Sequence, residues 1–230
     1  LIEVSWLEQT SADLPAGEDW LSAGEAQRLA GMRFPKRRDD WRLGRWTAKQ
    51  AVSVYLNLPG DPGSLARIEI RPAPSGAPDV FLENAPAPVV VSISHRAGVA
   101  ACAVAAPEVA LGCDLEIVEQ RSDAFATDYF TGGEQELLAR ASPADRVQLL
   151  ALLWSGKESV LKALRVGLRM DTRCVAVDPC MGPASGGGDW RPLCARHNGE
   201  VLNGWWRQTG SLVRTLVAVP APEAPQFRAG

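Results

Sequence analysis

The chain has 230 residues, 46% of them hydrophobic, with a formal net charge of −3 and a pI near 5.5. That is apolar material for one large domain or two of about a hundred residues, and the acidic balance argues against a general nucleic-acid binder, which neutralises several phosphates with a basic face. No apolar run approaches the roughly 20 residues that span a bilayer and no signal peptide opens the sequence, so neither a membrane nor export is expected. Five cysteines, at 102, 113, 174, 180 and 194, have no CxxC spacing and fit free thiols in a cytoplasmic protein. Two histidines leave no multi-His zinc site.

In chain order, "IEVSW" reads as a first strand, and residues 22–31 and 38–56 read as helices, the first opened by Ser22 and Glu25 as a capping box. "ARIEIR", "VVVSIS" and "VAACAVA" are short apolar or alternating runs, hence strands, and "HRAG" between the last two predicts a hairpin. "LGCDLEIV" is the next strand. Thr131 and Glu134 form a second capping box, and Ser142-Pro143 opens a long helix through about Leu164, with Gly167 as its stop. "CVAVD", "EVLNGWWR" and "LVRTLVAVP" supply further strands. "GPASGGGD" lacks the Lys-Ser/Thr of a phosphate loop and is expected to be a hairpin tip.

The chain repeats itself. "LSAGEAQRLA" from Leu21 matches "FTGGEQELLA" from Phe130, and "WTAKQAVSVYL" from Trp46 matches "WSGKESVLKAL" from Trp154, at the same spacing to within one residue. Two collinear matches predict an internal duplication. The fold class is therefore α+β, a pseudo-dimer of two similar halves, 1–108 and 109–230, with a ligand cleft between them. Because both halves lie in one chain, a complete site in a monomer is expected.

Along "LGCDLEIV" the period of two puts Gly112, Asp114 and Glu116 on one face, opposite Leu111, Cys113, Leu115 and Ile117. Two carboxylates about 6.7 Å apart repel by roughly 2.5 kcal/mol at an effective dielectric near 20, which calls for a cation or a raised pKa. Hard oxygen ligands beside Gly112, read as leaving room for a ligand, suit Mg²⁺; taken alone, an Asp-x-Glu on a strand is more often a solvated outer face. Glu158 and Lys162, four apart, share one helix face, while Leu153, Val160 and Leu164 serve a core-facing stripe. The first copy has Gln50 and Val54 in their places, so the copies differ at the two polar positions and agree in their packing. "MRFPKRRDDWRLGRWTAK" gathers Arg33, Lys36, Arg37, Arg38, Arg42, Arg45 and Lys49, a density suited either to ligand phosphates or to a solvated helix face. His95 beside Ser94 at a strand end reads as a phosphate contact or a turn residue, since no oxyanion loop accompanies the pair.

Taken together, "LGCDLEIV" and "LWSGKESVLKAL" resemble the paired signature G-x-D-x-E and W-S-x-K-E-x-x-x-K of the Sfp-type 4′-phosphopantetheinyl transferases. "RFPKRRDDWRLGRWTAK" resembles that family's basic helix, "PSGAP" its Gly-Lys-Pro loop, and "SISHRAGVAACAV" its Asn/Ser-x-Ser-His strand turn. The resemblance implies transfer of 4′-phosphopantetheine from coenzyme A to a serine of an apo acyl or peptidyl carrier protein, releasing 3′,5′-ADP. Asp114, Glu116 and Glu158 would hold Mg²⁺, and Lys162 would neutralise the leaving phosphate. Glu158, or a metal-bound water, would be the base. Arg33, Arg37, Arg42, Arg45, Ser94, His95, Lys157 and Lys162 would contact coenzyme A, as would Gly76 in the loop. That loop reads Gly76-Ala77-Pro78, without the family's lysine, so Arg71, Arg37 or Arg45 is expected to substitute. Two other readings fit the same residues: a metal-dependent hydrolase of the coenzyme A pyrophosphate, and an inactive coenzyme A- or carrier-binding module.

Overall fold

The computed structural model describes residues 1–180 and 189–228, so the expected "GPASGGGD" tip, apart from Asp189, lies outside the described residues. The chain first runs β1 (Ser5–Thr10), α1 (Ala23–Ala30), α2 (Pro35–Tyr55), α3 (Pro62–Ala66), β2 (Ile68–Pro72), β3 (Pro78–Leu82), β4 (Ala85–Pro86), β5 (Val90–Arg96) and β6 (Val99–Ala105). It continues with β7 (Ala110–Ile117), α4 (Asp123–Tyr129), α5 (Gly132–Arg140), α6 (Pro143–Ala163), β8 (Val175–Asp178), β9 (Arg191–His197), β10 (Glu200–Thr209), β11 (Leu212–Val219) and β12 (Gln226–Phe227). The class is α+β. Among the described residues three sheets form, in strand orders β12-β1-β6-β5, β7-β11-β10-β9-β8 and β2-β3-β4, and β12 pairs in parallel with β1.

The repeat is carried by matched buried ion pairs. α2 and α6 are each 21 residues long, and each follows a short helix opened by a capping box, Ser22 with Glu25 and Thr131 with Glu134. The capping glutamates do more than cap. Glu25 also accepts from the Ile70 amide at 3.1 Å and meets Lys49 at 2.5 Å; Glu134 accepts from the Val177 amide at 2.8 Å and meets Lys157 at 2.8 Å. Both lysines are fully buried and give their remaining hydrogens to backbone carbonyls: Lys49 to Trp20 and Leu65, Lys157 to Thr172 and Val175. Each pair thus staples a short helix, a long helix and a strand edge, the same device built twice.

The β5–β6 hairpin closes through Ala97 and Gly98, both with positive φ (51° and 74°), as a two-residue turn matched to strand twist requires. Helix α6 ends ahead of the expected Gly167: Leu164 is its C-cap and Arg165 takes the left-handed conformation, φ 57°.

The face of β7 expected to be open is closed. Every residue from Leu111 to Leu115 is buried, because α6 packs on the Gly112 side while Leu111, Cys113 and Leu115 join a core with Trp6, Trp190 and Leu216. Gly112 leaves room for the helix, not for a ligand: a Cβ there would stand 1.8 Å from the Ser159 carbonyl oxygen and 2.6 Å from the Ala163 amide nitrogen. Both are backbone atoms that cannot rotate aside. Gly112→Ala is accordingly expected to lower stability by about 1–3 kcal/mol as an overpacking change, read as a lower thermal midpoint.

β5 and β7 are edge strands of different sheets lying side by side, and they are joined by hydroxyls in place of a backbone ladder. Ser92 Oγ accepts from the Cys113 amide at 2.9 Å, and Ser94 Oγ accepts from the Leu115 amide at 3.1 Å. This seam positions the site.

Candidate active site

Asp114, 6% exposed, sits on this seam and receives three donors: Ser94 Oγ at 2.9 Å and Lys162 Nζ at 2.8 Å on Oδ1, and Ser155 Oγ at 2.9 Å on Oδ2. Lys162 also donates to the Cys113 carbonyl at 2.9 Å. Burial opposes the Lys162 charge, but Asp114, with help from Glu158, outweighs it and leaves the lysine pKa raised. One turn back on α6, Glu158 is half-buried, and its pKa is raised by burial first and then by the charges of Asp114 and Glu116, against the attraction of Lys162. Glu116, also buried, is ion-paired with Arg96 Nε and Arg121 Nη2, each at 3.0 Å, and both arginines are shared with Glu119. The structure thus brings together Asp114, Glu116, Glu158 and Lys162, the four residues singled out on β7 and α6.

The donor set suits a hard divalent cation: all three acids offer carboxylate oxygen, and Glu158 is opposed by two negative neighbours whose repulsion a cation would relieve. Among the described residues no three His, Cys, Asp or Glu side chains stand in chelating geometry. Two arginines hold Glu116 and Lys162 holds Asp114, so these cations occupy the negative charge that a metal would share.

Beside this cluster lies a two-part groove along β5. One part, about 670 Å³, is lined by Arg28, Lys36, Arg37, Arg45 and His95, with Phe34 at its rim, 70% exposed. The other, about 470 Å³, runs between β5, the start of β7 and the end of α6, with Lys162 and Arg165 in its wall. Gly76, Pro78 and Ile93 belong to both parts, so the 75–78 loop roofs a continuous space. His95 has its pKa lowered, chiefly by loss of solvent and further by Lys162 and Lys36, while Asp40 and Asp114 oppose.

The basic residues named from the sequence divide. Arg37, Arg45, Gly76 and His95 line the groove, and Lys162 joins them from the acidic side. Arg45 is largely buried over the Trp41 ring, and burial pushes its pKa down to about 10 against the pull of Glu25. Ser94 is buried and turned to Asp114, so its hydroxyl is spent on the acid rather than on a ligand. Arg42 donates to the carbonyls of Pro15, Ala16 and Gly17, which ties the N-terminal loop to α2. Arg71 pairs with Glu69 at 2.7 Å and with Asn84 at 2.8 Å, over the Phe81 ring, and so does not replace the missing loop lysine. Arg33 is exposed on the turn before α2 and is not among the groove-lining residues. Lys157 is wholly committed to the buried pair with Glu134.

Several groove and site residues went unread in the sequence. Ser155 and Ser159 fall seven and three residues before Lys162, on one stripe of α6 with it, a pattern that was available. Arg28 had no such signal. Nor had Arg165, which faces the loop from the opposite wall and pairs across the groove with Asp79.

Comparison with known proteins bears on this cluster directly. Residues 110–187 match the family model of the 4′-phosphopantetheinyl transferase superfamily, a span that begins at β7 and includes all of α6. No curated protein matches. Among solved structures the chain is similar to the Helicobacter pylori holo-[acyl-carrier-protein] synthase in complex with coenzyme A, at 21% identity and a TM-score of 0.32, over 45% of this chain and 98% of that one. The part of the chain that matches the 4′-phosphopantetheinyl transferase superfamily, residues 110–187, is the part that carries Asp114, Glu116, Glu158 and Lys162.

Proposed function

We propose that the chain is an Sfp-type transferase that moves 4′-phosphopantetheine from coenzyme A to a serine of an apo acyl or peptidyl carrier protein, with Mg²⁺, releasing 3′,5′-ADP. The observation that carries the reading is the meeting of Asp114, Glu158 and Lys162 beside a groove walled by basic side chains, in the second copy of a duplicated fold, where the first copy has Gln50 and Val54 in place of Glu158 and Lys162.

In this reading the serine oxygen attacks the phosphorus that bears pantetheine, the bond to the bridging oxygen breaks, and 3′,5′-ADP leaves with the electron pair. Asp114, Glu116 and Glu158 would hold Mg²⁺, which supplies Lewis-acid neutralisation of the pyrophosphate when bound. Glu158, whose pKa is raised, accepts the serine proton. Lys162 faces the leaving phosphate with a charge kept in place by Asp114. His95, Arg37 and Arg45, with Lys36 and Arg28, take the phosphorylated ribose end of the ligand in the wider part of the groove.

Coenzyme A is expected to bind more tightly than dephospho-coenzyme A by about 1.5–3 kcal/mol, the worth of a hydrogen bond to a charged group. Titration calorimetry with both ligands checks this. Equal affinities would remove the basic part of the groove from ligand recognition. Release of 3′,5′-ADP from coenzyme A without any carrier protein would favour hydrolysis instead of transfer.

A further inference from the structure

Thr215 on β11 stands directly across the ladder from Asp114 on β7, under helix α6. Ser155 Oγ lies 2.9 Å from Asp114 Oδ2 and 2.9 Å from Thr215 Oγ1, and Thr215 Oγ1 lies 2.7 Å from Ser159 Oγ. Ser155, Ser159 and Thr215 are all fully buried. Each hydroxyl has one hydrogen to give. The Ser155 hydrogen goes to Asp114, so the contact between Ser155 and Thr215 is completed by the Thr215 hydrogen, and the contact between Thr215 and Ser159 by the Ser159 hydrogen. The Thr215 carbonyl, 3.2 Å from Ser159 Oγ, is a longer second acceptor for that last hydrogen. The result is a one-way chain, Ser159 to Thr215 to Ser155 to Asp114, in which each bond polarises the next.

The first copy of the fold has no such chain. On β1 the core residue turned to α2 is Leu7, and its ladder partner is Cys102. Ala51 replaces Ser159, and Thr47, in the place of Ser155, turns its hydroxyl back to the Leu43 carbonyl of its own helix at 2.9 Å. The hydroxyls accompany the acid and are missing where the acid is missing. They also act on a particular oxygen: Oδ1 already accepts from Ser94 and Lys162, whereas Oδ2, among the described residues, accepts from Ser155 alone and retains capacity for another partner.

We infer that the Ser159–Thr215–Ser155 chain is the positioning device for Asp114 as a metal ligand, with Thr215 at its centre; this rests on the metal-dependent reading above. Outer-shell partners of a ligating carboxylate act by fixing its orientation, and losing one typically weakens metal binding about 10- to 100-fold. Thr215→Val keeps the side-chain shape and removes the hydroxyl. It is expected to weaken Mn²⁺ binding by about tenfold or more, followed by electron paramagnetic resonance titration of the full chain, and to lower kcat while leaving the KM for coenzyme A near the wild-type value. Thr215→Ser, which restores the hydroxyl, should recover Mn²⁺ affinity to within about threefold, a rescue that a purely packing role would not give. Ser159→Ala, at the far end, should weaken Mn²⁺ by about two- to threefold and serves if Thr215→Val does not fold. Wild-type Mn²⁺ affinity in a folded Thr215→Val, or in Ser159→Ala if that is the variant that folds, overturns the inference and leaves the transferase reading standing. A wild-type chain that takes up no Mn²⁺ overturns both.

Discussion

Lys162→Ala and Glu158→Gln are expected to slow phosphopantetheine transfer by about 10²–10³-fold and 10²–10⁴-fold respectively, the ranges for a lost charge stabiliser and a lost general base. Lys162 reaches toward the cluster from α6 with its charge supported by Asp114 and the Cys113 carbonyl, so its removal takes away the ammonium proposed to face the leaving phosphate. Glu158→Gln removes a proposed ligand and the proposed base together, and added Mg²⁺ should not restore it. Asp114→Asn and Glu116→Gln remove ligand charge alone, so they should slow transfer less and recover in part at higher Mg²⁺. Asp114→Asn carries a further cost. An amide nitrogen cannot accept from Ser155 or from the Ser94–Lys162 side, so one buried donor loses its partner, at about 1–3 kcal/mol of stability. Gln50→Ala, the matching position of the first copy, should leave turnover unchanged. The measurement is the rate of mass gain of an apo carrier protein, with circular dichroism to separate folding from chemistry.

Lys157→Ala is expected to cost about 3–5 kcal/mol of stability, the range for removing one partner of a buried ion pair. The cost has a specific source: Glu134 would remain 4% exposed, bonded to the Val177 amide and its own cap, with its compensating charge gone. For a chain of this size that corresponds to a fall in thermal midpoint of roughly 6–20 °C. Lys49→Ala, its counterpart opposite Glu25, should cost a similar amount. Thermal denaturation of both variants reads this directly. A Lys157→Ala protein as stable as wild type but weakened in coenzyme A binding would return Lys157 to the ligand and contradict its placement in the core.

Lys157 also marks where the sequence could be read and where it was misread. It lies four residues after Leu153 and three before Val160, squarely on the core-facing stripe of α6, and "WTAK" and "WSGK" repeat the lysine among the packing residues. By the logic that set Glu158 and Lys162 apart, a residue kept in both copies belongs to the packing. What obscured it was that a buried lysine needs an acid far away in sequence. Glu134 looked complete as a capping residue, and nothing local says that the same carboxylate also serves a strand and a lysine.

The capping boxes, the Ser142-Pro143 helix start, the Ala97-Gly98 turn and the shared face of Asp114 and Glu116 on β7 were legible because each depends on residues within one turn or one pleat. Three features depended on how distant elements pack: the closure of β7 by α6 at Gly112, the serine seam between β5 and β7, and the turning of Arg42 and Arg71 to local partners. Charge density alone located the basic face of α2, but helix geometry points successive arginines in different directions, and only some reach the groove.

Incubation of the purified chain with coenzyme A, Mg²⁺ and a panel of apo acyl and peptidyl carrier proteins, read by intact-protein mass spectrometry, tests the central claim most directly. The account predicts that at least one carrier gains the mass of a single phosphopantetheine on its serine, with one 3′,5′-ADP released per carrier modified, and that chelation of the metal stops both. Release of 3′,5′-ADP with every carrier left unmodified, or modification that continues at the same rate with Lys162→Ala and Glu158→Gln, would contradict it.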